Sequence, residues 1–104
     1  MPEINSQRKR NPALSTQNSK DNKFKVYPNP ANNYFIVEYK LESKELNSEI
    51  QIINNLGKII KIIKLDKRIG EEVIDTKSLS SGIYMINLYI NGKIIDSQKL
   101  SISN

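Results

Sequence analysis

The side chains that do most enzymatic chemistry are scarce in this 104-residue sequence, which contains no histidine and no cysteine. The commonest general base, the commonest transition-metal ligand and the thiol nucleophile are therefore all missing. Glu71, Glu72 and Asp75 form the one local group of acids that could do chemistry. Neighbouring residues on a strand point to opposite faces, so Glu71 and Glu72 cannot face each other as an acid and base pair. Carboxylates and loop carbonyls could take calcium, yet no recognisable calcium loop is present. The composition reads as a non-enzyme, with no cofactor and no metal site expected.

Charge narrows the partners further. Lys and Arg outnumber Asp and Glu by 16 to 11, and Arg8, Lys9, Arg10, Lys20 and Lys23 crowd the start of the chain against Glu3 and Asp21. The Arg8-Lys9-Arg10 run could touch nucleic acid or an anionic surface. No aromatic residue accompanies it for base stacking, so a solvated basic linker is the preferred reading and no nucleic-acid partner is expected. Residues 1–23 are polar and poor in apolar side chains, a composition that cannot offset its ordering entropy; they are read as a flexible linker and 24–104 as the folded domain. No run approaches the roughly 18 apolar residues of a membrane span, and the N-terminus lacks the apolar stretch of a secretory signal. The chain is thus expected to be either intracellular or the C-terminal piece of something longer, with no membrane insertion. Without cysteine, the redox compartment stays open.

From Phe24 onward, short runs rich in Ile, Val, Tyr and Phe alternate at period two, with turn residues between them. The runs are FKVY (24–27), YFIVEY (34–39), EIQIIN (49–54), KIIKIIKL (58–65), EEVID (71–75) and IYMINLYI (83–90), followed by a final strand. Phe35, Val37 and Tyr39 are expected on the core side, as are Ile50 and Ile52, and Leu79 is expected to plug the core. KIIKIIKL has helix-like spacing, but β-branched residues and flanking turn signals favour a strand. IYMINLYI, the longest apolar run, should be central. Asn91-Gly92 signals a two-residue hairpin turn. A strict hairpin register would strand Leu100 and Ile102 on the solvent face. One extra residue between Ile95 and Lys99, a β-bulge, or else a longer loop, would bring Leu100 opposite Tyr84. The sum is an all-β protein, an immunoglobulin-like antiparallel β-sandwich of about seven strands.

Pro28 and Pro30 interrupt this pattern between the first two strands. Each fixes its own φ, lacks an amide donor and pushes the preceding residue toward extended backbone, so Pro28-Asn29-Pro30 reads as a rigid corner between strands.

The order of VYPNPANNYFIV, IQIINNLGKII and VIDTKSLSSGIYMINLYINGKIIDSQKLSI resembles the type A C-terminal sorting domain of the type IX (Por) secretion system of Bacteroidetes, over residues 24–102. The carrying elements are YPNPA at 27–31, LGK at 56–58 and L-x-x-G-x-Y at 79–84. The resemblance implies a non-catalytic module at the C-terminus of exported cargo. Its implied partners are type IX translocon components, a sortase-like cysteine peptidase that commonly removes it, and an N-terminally fused cargo. Cleavage would fall before Phe24, after transit through the periplasm to the surface or medium. Matching positions implied to contact the translocon or peptidase are Pro28, Asn29, Pro30, Gly57, Lys58, Gly82, Tyr84, Lys99, Leu100 and Ile102. Each also has a structural reading: glycines as turn positions, Tyr84 as a core ring with a satisfied hydroxyl, and the lysines as solvated. The final strand is expected to offer an exposed edge for strand addition. The alternative function is an adhesive or carbohydrate-binding sandwich, which would gain if Tyr34 and Tyr89 were exposed on one face.

Overall fold

The structure, a computed structural model, describes residues 22–42 and 47–104. Seven strands follow one another: β1 (Lys23–Tyr27), β2 (Tyr34–Lys40), β3 (Ser48–Asn54), β4 (Ile59–Leu65), β5 (Ile69–Asp75), β6 (Gly82–Ile90) and β7 (Lys93–Ile102). Among the described residues there is no helix. The strands form two antiparallel sheets, β1-β2-β5 and β4-β3-β6-β7, packed as a sandwich with the expected immunoglobulin-like architecture. IYMINLYI is central, between β3 and β7, and KIIKIIKL is indeed a strand, on the opposite edge of the same sheet.

Alternation decides which face goes inward. Phe35, Val37 and Tyr39 are buried from the three-stranded sheet, and Ile50, Ile52, Ile86 and Leu88 meet them from the other. Each such side chain contributes about 1.5–3 kcal/mol by leaving water. Leu79 is buried beneath the β5–β6 connection. Among the described residues the first strand, β1, starts at Lys23, and buried Asn22 accepts the Glu42 N–H at 2.8 Å. The Arg8-Lys9-Arg10 run lies outside the described residues.

The β6–β7 hairpin resolves the register problem. Asn91 and Gly92 have φ of 53° and 81°, as a type I′ turn requires, and Ile90 pairs with Lys93. Tyr89 then pairs with Ile94 and Leu88 with Asp96, so Ile95 is the extra residue. The bulge falls at the first position of the expected window and sets Leu100 opposite Tyr84. Leu100 and Ile102 are consequently buried, at 0% and 2% exposure.

Candidate functional site

The ten positions singled out in the sequence gather at one end of the sandwich. There β3 ends and β4 begins, β6 begins opposite the end of β7, and the chain turns from β1 into β2. The chain enters β1 at Lys23, which pairs with Lys40 at the far end.

The Pro28-Asn29-Pro30 corner lies against β7. Both X–Pro bonds, Tyr27–Pro28 and Asn29–Pro30, are cis, and all three residues are exposed. Prolines have no N–H, so the corner cannot run a ladder along a neighbouring strand. The Asn29 side chain does it instead. Its Nδ2 donates to the Lys99 carbonyl at 3.1 Å, and its Oδ1 accepts the Ser101 N–H at 3.0 Å. Ala31 continues the pairing: its N–H donates to the Ser101 carbonyl at 2.7 Å, and its carbonyl accepts the Ser103 N–H at 2.8 Å. This is a short parallel bridge from Ala31 to Ile102. The expectation of an exposed C-terminal edge therefore needs correcting: from Lys99 to Ser103 the edge of β7 is closed by the corner. Of the three singled-out positions on β7, Lys99 has its side chain exposed beside the corner, whereas Leu100 and Ile102 belong to the core.

The third motif is a packing device. Tyr84 sits near the start of β6 with its ring buried, and its hydroxyl donates to the Ser80 carbonyl at 2.7 Å. A tyrosine bonded to backbone a few residues upstream at this corner is a recurrent feature of immunoglobulin-like sandwiches. Gly82 opens β6 with φ 153° and open space where a β-carbon would lie.

The second motif is the β3–β4 turn. Asn54 Oδ1 accepts the N–H groups of Leu56 and Lys58, both at 2.9 Å, and the Gly57 N–H donates to the Asn54 carbonyl at 3.0 Å. Gly57 has φ 83°, a conformation that glycine adopts without strain. Lys58 is exposed, and Leu56, at the tip, is 86% exposed. Between this turn and residues 78–84 lies an open cleft of about 290 Å³, lined in part by Asn55, Ile60 and Ile83.

Residues other than those ten also bind this end together. Thr76 Oγ1 donates to the Asn32 carbonyl at 2.6 Å, and Asn104 Nδ2 donates to the carbonyls of Thr76 at 2.6 Å and Leu79 at 2.8 Å. Asn104 carries no periodic or motif signal. Ala31 does stand in the YPNPA element.

Electrostatics elsewhere are mild. Hydrogen bonds from Gln51 (2.6 Å) and Lys64 (2.9 Å) hold the Glu49 carboxyl below the usual carboxylate range. Burial, then the charges of Glu72 and Asp66, pushes the Tyr39 hydroxyl upward. Among the described residues no group of three or more acids could hold a metal ion. Glu71 and Glu72 alternate as expected: Glu71 pairs with exposed Glu38, and Glu72 with core Val37. Tyr34 projects from the outer face of the three-stranded sheet, 47% exposed, whereas half-buried Tyr89 lies on the four-stranded sheet. The two rings face opposite sides of the molecule, so they make no common sugar platform.

An exposed corner, a glycine turn and a tyrosine corner are thus gathered at one end of an all-β sandwich. The model of the secretion system C-terminal sorting domain, Por_Secre_tail, matches residues 25–103, and the chain belongs to that family. No curated protein sequence matches it. Among solved structures, an X-ray structure of a Bacillus anthracis chain described as a lipoprotein is similar at 16% identity. That likeness covers 82% of this chain and 74% of the other with a TM-score of 0.45, too loose to bear on function.

Proposed function

We propose that the chain is a non-catalytic C-terminal secretion signal that takes an N-terminally fused cargo across the outer membrane through the type IX system. In this reading it passes through the periplasm, is bound by translocon components, and is removed by a sortase-like cysteine peptidase at the cell surface. The observation that carries the proposal is placement. The family match spans nearly the whole fold, and every motif lies at the end of the sandwich opposite the point where the chain enters at Lys23. A cargo attached upstream would leave that end free for a receptor. Pro28, Asn29, Pro30 and Lys99 then act as one composite surface, with Gly57 and Lys58 across the sheet at the same end. Gly82, Tyr84, Leu100 and Ile102 act by holding that surface in shape.

The test is a reporter carrying a periplasmic signal peptide and this chain at its C-terminus, in a bacterium with a working type IX system. Reporter on the surface or in the medium, lost when the translocon is disabled, is the expected result. Reporter held in the periplasm with a folded domain would overturn the proposal. Deleting Lys99–Asn104 is a poor probe, because it removes Leu100 and Ile102 from the core. Lys99→Ala alters only the exposed surface and is the better variant.

A further inference from the structure

The two edges of the four-stranded sheet differ in what lies against them, and among the described residues the β4 edge is the open one. There β4 pairs with β3 and with no other described strand. Ile59, Ile60 and Ile62 are 46%, 39% and 49% exposed there, an unusual amount of apolar surface for an edge strand. The charge on this edge has one sign. Lys58, Lys61 and Lys64 punctuate it, and no acid occurs between Leu56 and Leu65. Lys64 reaches Glu49 at 2.9 Å but keeps 68% of its side chain exposed. Lys61 is opposite core-facing Ile52, so it points inward at the rim, and the register shift between Lys61 and Ile59 leaves Ile60 as a bulge. An inward lysine and a bulge discourage edge-to-edge pairing with a second copy, which would also bring a second set of the same lysines to the seam.

We propose that the β4 edge is a docking site for an extended, acidic and apolar peptide segment of a partner protein, bound by strand addition. Main-chain groups of β4 would supply the ladder and its isoleucines the apolar contacts. Lys61 and Lys64, three residues apart and therefore on opposite faces, would select acids at the same spacing. The site is independent of the export reading: peptide binding without export would overturn only that reading, and export without peptide binding only this one.

The probe is a synthetic octapeptide of threonine and valine with two glutamates three positions apart, titrated into the full chain and followed by amide NMR shifts and hydrogen exchange. The expected result is shifts confined to β3 and β4, slowed exchange along β4, and at low salt about tenfold weaker binding of a control with lysine in place of glutamate. The Lys61→Glu, Lys64→Glu double variant should reverse that preference. Both side chains are exposed, and the wild-type comparison of the two peptides decides the matter even if the variant folds poorly. Equal binding of both peptides, shifts at β7 instead, or a β4-mediated dimer indifferent to peptide would overturn the proposal.

Discussion

β7 and β4 border the same sheet, yet β7 is sealed over its last residues by a side-chain amide and one alanine, whereas β4 keeps its isoleucines in water. The difference teaches that an edge can be protected in two ways. One is occupation, in which the corner at Asn29 and Ala31 takes up the outward groups of Lys99, Ser101 and Ser103. The other is discouragement, in which charge and a bulge make pairing unfavourable for most partners but leave it possible for a complementary one.

The largest effect that would sharpen this contrast comes from the core beneath the sealed edge. Leu100→Ala should cost about 2–5 kcal/mol in urea unfolding, while Ile62→Thr on β4 should stay within about 0.5 kcal/mol. Similar losses at both would break the comparison.

Next in size is the clasp itself. Asn29→Ala removes two hydrogen bonds at an exposed site and should cost roughly 1–2 kcal/mol. Hydrogen exchange should speed up at the Ser101 amide and change little at the Ser103 amide, which Ala31 still holds. Unchanged exchange at Ser101 would mean that Asn29 does not close the edge.

The smallest effect is set by pH. Glu49 has a carboxyl held below its ordinary value by Gln51 and Lys64, so its contribution to stability is present above the unfolded carboxylate range and is lost as pH falls through the lower folded value. Acidification should therefore loosen β4 against β3, whereas the clasp on β7 is built from amides and carbonyls and has nothing to titrate. Exchange measured across β4 and β7 at mildly and strongly acidic pH would show this as faster opening at β4 only.

How much of this was legible varies with the range of the interaction. Strand positions and inward faces follow from period-two alternation, and even the β7 bulge could be inferred, because Leu100 and Ile102 had to reach the core opposite Tyr84. Pro28 and Pro30 announce a corner by their own covalent chemistry. What the corner touches cannot be read, since Asn29 meets Lys99 across a sequence separation of 70 and by side-chain bonds that leave no periodicity. From sequence alone the sealed edge therefore reads as open. Strand pairing was hidden for the same reason, and the contacts of Asn104 with Thr76 and Leu79 had no precursor in any motif.

The separation between Asn29 and the strand it closes also has a consequence in time. On a ribosome adding about 5–20 residues per second, the corner emerges several seconds before Lys99 exists to accept its amide. Until then β6 lacks its outer neighbour, and the buried positions of Leu100 and Ile102 are unfilled. The domain can complete its fold only after essentially all of it has been made, so any upstream neighbour on the same chain has a head start in folding or in being handed on.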